Sequence, residues 1–247
     1  MPLLGTGDVS RLLDTSPTMP SLDTDALILP GVRILHVLQE IRSAPMLDLL
    51  PPALHPTVPP TVSVWAWQVR GSDIGDFTLA QVCVGCRAGV RPRGFLVGAW
   101  CDDDDAARVL GERWGFRRDA GVPRLDVTHF GAKVVVERDG AVILDSGMES
   151  PEAISGTDLQ YVATMQLAHT PLGDRLVQVD PDYAFSKADR GRPRTDVFDS
   201  AALGDARIEP VWPISASTAV ADVTLPRIRY VCKVDVPAMA GTEPVRS

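Results

Sequence analysis

The densest run of reactive side-chain types is Glu112-Arg113-Trp114-Gly115-Phe116-Arg117-Arg118-Asp119, followed by Gly121 and Pro123. An amine nucleophile must shed its proton before it attacks a carbonyl, and a lysine can be tuned to do so. A guanidinium keeps its proton at every physiological pH. Arg118 therefore cannot form an imine. Its planar fork of donors can instead hold a carboxylate or steady an enolate oxygen. The alternative is an arginine at a helix C-terminus, where the dipole favours a cation. Glu112 reads as the ion-pair partner of an arginine. The only lysines, Lys133, Lys187 and Lys233, lie outside this run.

Other reactive types are scattered. His36, His55, His129 and His169 have no metal-ligand spacing; His129, beside Phe130-Gly131, is the one to watch, against the reading of a satisfied strand histidine. Cys83-Val84-Gly85-Cys86 is formally a C-x-x-C. Residues three apart on a strand point to opposite faces, and no second pair completes a zinc set, so reduced core cysteines are expected. Asp102 to Asp105 lack the glycine of a calcium loop and read as a solvated helix start. No metal or cofactor is expected.

The run at 112–123 resembles the segment of acetoacetate decarboxylases that carries their catalytic lysine, E-x-x-G/A-F/Y-P-K-K with a Gly and a Pro shortly after. Arg117 stands at the family's proline, Arg118 at its Schiff-base lysine and Asp119 at the neighbouring lysine. Further matches keep chain order: Leu49-Leu50-Pro51-Pro52-Ala53-Leu54, Gly75-Asp76-Phe77-Thr78, Gly191 with Arg194, Leu203-Gly204-Asp205, and 219–227 with its A-D-x-x-L-P-R pattern. The resemblance spans residues 33–235. It implies a mainly β (α+β) fold, an antiparallel β-barrel of the acetoacetate decarboxylase type with a few short helices and a pocket inside. It also implies a symmetric homo-oligomer, at least a dimer.

By that resemblance Phe116 and Arg118 reach the cavity. Leu79 takes the place of a catalytic glutamate, and Trp65 or Val64 falls near a second acid. Glu40, or Gln39 or Arg42 under a different gap, falls near a substrate-binding arginine. Trp100 lies opposite a family aromatic. Strand alternation puts Trp65, Trp67, Leu79, Gln81 and Cys83 on one face. The implied pocket is rich in aromatics and poor in charge, which suits a bulky apolar small molecule. Arg118, Glu40 and Gln81 are the expected catalytic groups, and Trp65, Trp67, Leu79, Trp100 and Phe116 the expected substrate contacts. The expected function is a cofactor-independent enzyme of secondary metabolism that cyclises, eliminates or isomerises a polyketide-like or keto intermediate. The alternative is a non-catalytic ligand-binding or structural relative. A hydrophobic plug in the cavity would favour that alternative; inward polar groups would favour the enzyme.

The rest of the chain must position these residues. Its 247 residues, 45% hydrophobic, suffice for one core, with no internal linker. A net charge of −8 without basic clusters argues against nucleic acid and anionic membranes. No apolar run reaches the ~20 residues that span a bilayer. The N-terminus lacks a signal-peptide pattern, so a cytoplasmic protein is expected. Residues 1–28 read as a flexible arm, 29–235 as the barrel domain and 236–247 as a tail. Strands are expected at 32–38, 62–70, 77–84, 95–101, 125–128, 132–138, 141–146, 161–169, 175–179, 206–217 and 221–234. Helices are expected at 43–50 and 103–114, and Asp139-Gly140 signals a hairpin.

Overall fold

The computed structural model describes residues 3–42, 46–202 and 208–245. In chain order the elements are α1 (Val9–Leu13), β1 (Leu27–Ile41), α2 (Met46–Leu49), β2 (His55–Pro56), β3 (Thr61–Ser72), β4 (Gly75–Ala88), β5 (Arg91–Cys101) and α3 (Asp104–Trp114). There follow β6 (Val122–Thr128), β7 (Gly131–Arg138), β8 (Ala141–Ala153), β9 (Thr164–Thr170), β10 (Gly173–Val179), β11 (Asp182–Phe198), β12 (Pro210–Leu225), β13 (Tyr230–Lys233), α4 (Ala238–Gly241) and β14 (Thr242–Pro244). The fold is mainly β, as expected.

The strands form one sheet in the order β14-β13-β10-β9-β5-β4-β3-β1-β12-β11-β8-β7-β6, with β2 attached to β4. All named pairings are antiparallel except that of β5 with β9. The expectation of a barrel needs correction here: among the described residues the hydrogen-bonded path runs from β14 to β6 and does not close. The sheet curls instead, so that apolar side chains from β6, β7 and β8 join those of β1, β3 and β4 in a single core that includes Leu35, Val64, Val82, Leu125, Val134 and Leu144. The opposite face of β1, β3, β4 and β5 carries a second core with Ile34, Trp65, Trp67, Leu79 and Cys83, covered by α3 and the segment around Met19. Strand alternation assigns the residues to the two faces. Cys83 and Cys86 accordingly fall in different cores.

The sequence dictates α3 at both ends. Asp103 caps it, its carboxylate accepting from Ala106 N at 2.8 Å. Asp104 and Asp105 suit the first turn. Gly115 ends it at φ 74°, a conformation that favours glycine. Its buried stripe is Ala106, Ala107, Leu110 and Trp114, and the Trp114 indole donates to Pro226 O at 2.8 Å. At the β7–β8 turn both Asp139 (φ 52°) and Gly140 (φ 79°) are left-handed, as a tight hairpin requires.

Several expected boundaries differ. The segment expected as a flexible arm is packed: Met19 is buried, Gly5 N donates to Leu54 O, and Met19 N donates to His169 O. The expected tail forms α4 and β14 at the sheet edge. Residues 206–217 and 221–234, expected as two strands, give the continuous β12 and the short β13. The 17-residue β11 had no expected strand. Its sequence, with three Asp, three Arg, a Gly and a Pro, reads as a loop, yet it is held on both sides by β12 and β8. Gly191 within it permits that approach, since a Cβ there would lie 2.4 Å from Glu149 O. The expected helix at 43–50 appears as α2; residues 43–45, like Leu203-Gly204-Asp205, lie outside the described residues. Among the described residues no helix is long and apolar enough to cross a membrane.

Candidate functional site

The segment after α3 is a clamp. Asp119 N donates to Ala99 O at 2.6 Å, and Ala99 N donates to the Asp119 carboxylate at 2.8 Å. The same carboxylate takes Arg117, whose Nε lies 3.2 Å away. Arg118 turns outward, 46% exposed, and pairs with Asp104. With Phe116, Glu112 and Asp104 it borders a cleft of about 370 Å³ against Thr15, Pro17 and Thr18. The expectation that Arg118 enters the interior is thus corrected: its neighbour Asp119 is pinned to β5, Arg117 pairs with Asp119, and Asp104 pairs with the Arg118 guanidinium at the surface.

Phe116 does reach the second core, together with Trp65, Trp67 and Leu79. In register, Trp67 faces Leu79 and Trp65 faces Gln81. Gln81 is only 4% exposed, and its Nε2 has no hydrogen-bond partner among the described residues. The Trp67 indole nitrogen is likewise unpartnered, while that of Trp65 donates to Ser63 Oγ at 3.1 Å. Trp100 belongs to the other core, on the opposite face, beside Gly121. It therefore does not share a face with the other expected contacts.

Glu40 is half-buried near the end of β1, opposite Thr61 and Trp212. At ~3.3 Å per residue it sits about 13 Å along the strand from His36. Its two alternatives are engaged elsewhere: Gln39 donates to Thr195 Oγ1, and Arg42 pairs with Glu209 at 2.8 Å. Glu40, Gln81 and Arg118 are not brought together.

A different group is. His36 on β1 lies opposite Trp65 on one side and Ser217 on the other. Its ring sits 4.0 Å from Trp65 and 5.5 Å from Tyr161. Tyr161 also meets Trp65 at 4.7 Å, Tyr183 at 5.2 Å and Phe185 at 5.6 Å, all edge-on. Its hydroxyl is 3.3 Å from Ser217 Oγ. His36, Tyr161, Tyr183 and Phe185 each keep partial solvent exposure. Burial nevertheless pushes the His36 imidazole down to about 3 and the Tyr161 phenol up to about 12, the latter opposed by its Ser217 hydrogen bond. Tyr183 moves upward for the same reason, and Cys83 rises to about 12. Together these facts describe an aromatic cluster packed on the buried Trp65 and partly open to solvent at His36, Tyr161, Tyr183 and Phe185. Every titratable group named there is neutral at pH 7.

These residues escape sequence reasoning because they come from β1, β11, β12 and the segment before β9. The one available signal is that His36 stands between Ile34 and Leu38 on a face of β1 that is apolar from Val32 to Leu38. His129, the histidine singled out from sequence, sits at the β6–β7 turn with its ring 3.6 Å from the exposed Phe130. Both line an outer groove of about 720 Å³ with Lys133, Glu149 and Arg194.

A family model described as Acetoacetate decarboxylase (ADC) matches residues 15–234. Among solved structures, the acetoacetate decarboxylase from Legionella pneumophila subsp. pneumophila str. Philadelphia 1 superposes with TM-score 0.69 at 18% identity, covering 87% of this chain and 88% of that one. An acetoacetate decarboxylase-like enzyme from Sphingomonas wittichii RW1 gives 0.65 at 19%, covering 84% and 94%. The enduracididine biosynthesis enzyme MppR, complexed with the condensation product of pyruvate and imidazole 4-carboxaldehyde, gives 0.66 at 17%, covering 85% and 94%. No curated protein matches the chain.

Proposed function

The chain belongs to the acetoacetate decarboxylase family, and we propose that it is a cofactor-independent member acting on a bulky, neutral, largely apolar keto compound, polyketide-like in character, held in a recess that we place against this aromatic cluster, over Trp65. Its chemistry is proton movement leading to cyclisation, elimination or isomerisation, and not Schiff-base decarboxylation. The observation that carries this reading is the grouping of His36, Trp65 and Tyr161, with no ionised group among them and the Gln81 amide unpartnered two strands from His36. A carboxylate entering such a place loses its hydration without gaining a cation. A neutral carbonyl loses little and can accept from Gln81. The solved complex of MppR bears on the reading in one respect: a protein of this fold holds a condensation product of pyruvate and imidazole 4-carboxaldehyde, a carbonyl-derived compound that, unlike the ligand proposed here, carries a carboxylate.

The test is a tryptophan-fluorescence titration with 2-tetralone, a bicyclic ketone, beside 2-naphthoate, an anion of similar size. The ketone should bind at least tenfold more tightly. Equal or tighter binding of the anion would overturn the reading.

A second reading, a ligand-binding relative without catalysis, is favoured by one observation: Leu79, Trp67 and Phe116 are closely packed where the resemblance puts a carboxylate and the lysine segment. Such a protein would bind the ketone and leave its chemistry unchanged. For either reading we propose a symmetric homo-oligomer. Light scattering that gives only the 26.6 kDa monomer at micromolar concentration would contradict this.

A further inference from the structure

We infer that His36, Ser217 and Tyr161 form a neutral proton relay that interconverts the keto and enol forms of the compound bound on Trp65; this rests on the recess being the ligand site. His36 and Ser217 are direct register partners on β1 and β12, which places their Cβ atoms about 4.5–5.5 Å apart. Ser217 Oγ in turn lies 3.3 Å from the Tyr161 hydroxyl. Imidazole, hydroxyl and phenol thus share one face of the sheet, with Ser217 next to His36 in register and next to Tyr161 by its hydroxyl, and His36 and Tyr161 both pack on the ring of Trp65.

The balance closes without a co-reactant. His36 takes the proton from the carbon next to the carbonyl, and that C–H electron pair becomes the C=C bond. The C=O π pair moves to oxygen, which takes the proton of the Tyr161 hydroxyl. The proton gained by His36 passes to Ser217 Oγ as Ser217 gives its own to Tyr161. The products are the enol and three neutral side chains; nothing is oxidised or reduced.

The environment explains why the groups must act together. An imidazole pushed down to about 3 is a poor base alone, and a phenol pushed up to about 12 is a poor acid alone, both because burial opposes charge. Handing the proton from one to the next avoids leaving either charged. His36 and Tyr161 are the catalytic residues of this step. Ser217 reaches the Tyr161 hydroxyl, neighbours His36 in register and does not touch the ligand, so it is a positioning and relay residue.

The experiment follows exchange of the C1 protons of 2-tetralone for deuterium by NMR in buffered D2O, with binding measured in parallel by fluorescence. Wild type should accelerate exchange by about a hundredfold or more over buffer, the range of general acid–base catalysis. His36→Gln and Tyr161→Phe should fall close to the buffer rate. Ser217→Ala should lose about tenfold at unchanged probe affinity, and Ser217→Thr, which keeps the hydroxyl, should restore it. A purely structural role for Ser217 would not be rescued by the hydroxyl in this way. Probe binding without accelerated exchange would overturn the relay alone. So would acceleration that survives His36→Gln or Tyr161→Phe. Failure of the probe to bind at all would instead overturn the ligand site on which the relay rests.

Discussion

Asp119 grips Ala99 by both of its peptide groups: its N–H donates to Ala99 O and its carboxylate accepts from Ala99 N. The family resemblance puts a lysine at this position. A residue from the catalytic segment has become a fastener between the end of α3 and β5. Arg117, paired with the same carboxylate, completes it.

Asp119→Ala removes the acceptor for Ala99 N and leaves Arg117 without its partner. A partly buried, charge-assisted hydrogen bond of this kind contributes about 1.5–3 kcal/mol. The urea midpoint should therefore fall by an amount equivalent to about 2 kcal/mol, and Asp119→Asn should recover part of it. An unchanged midpoint in Asp119→Ala would show that the clamp is idle.

Arg118→Met should change little. The exposed pair with Asp104 is worth at most about 1 kcal/mol, and the side chain points away from the recess, so stability and 2-tetralone affinity should stay within about fivefold in equilibrium terms. Arg118→Lys should not create a Schiff-base enzyme, because Leu79 supplies no carboxylate and the residue faces solvent. Borohydride reduction with acetoacetate, read by intact mass, should leave the wild-type protein and this variant unmodified. A stoichiometric adduct on Lys133, Lys187, Lys233 or the introduced lysine would contradict this.

Gln81→Leu should separate function from stability. The Gln81 amide is buried with Nε2 unpartnered among the described residues. Such a group is costly to keep without a ligand. The leucine variant should unfold at an equal or higher urea concentration, yet bind 2-tetralone about tenfold more weakly, the equivalent of one neutral hydrogen bond. Loss of stability with unaltered affinity would place the amide in the core and not in the site.

Acidification tests His36. Its folded-state pKa is lowered by burial from 6.5 to about 3. Between those values the unfolded chain binds a proton that the folded one refuses, so stability rises with pH across this window and is lost as pH falls from 6.5 toward 3. The neighbours on every side of the ring, Trp65, Tyr161 and Ser217, carry no charge there, and the nearest basic register position, Arg190 opposite Ser217, is directed to Asp158 O. His36→Gln should flatten the dependence of the urea midpoint between pH 6.5 and 4.5 relative to wild type. Equal slopes in the two proteins would show that the ring is not held neutral by burial.

Local signals made much of this fold legible. Asp103 and Gly115 mark α3, Asp139-Gly140 marks the hairpin, and the apolar alternation of β3 and β4 puts Trp65, Trp67, Leu79 and Gln81 on one face. The run at 112–123 identifies the family. What was not legible depended on distant partners. β11 is charged and glycine-bearing, and becomes a strand only because β8 and β12 satisfy its backbone from either side. The residues near Met19 are fixed by His169. Arg118 and Asp119 carry family positions, but their side chains answer to Asp104 and Ala99. His36, Tyr161 and Ser217 meet through register and curling of the sheet, which no spacing along the chain expresses.

The most direct measurement is a crystal structure of the protein soaked with 2-tetralone. Its bicyclic ring should lie against Trp65, bordered by His36 and Tyr161, with the carbonyl oxygen within hydrogen-bond distance of Tyr161 or Gln81. A ligand found instead in the cleft beside Arg118 and Phe116, or in the outer groove at Phe130, with the recess closed, would contradict the assignment of the recess as the site.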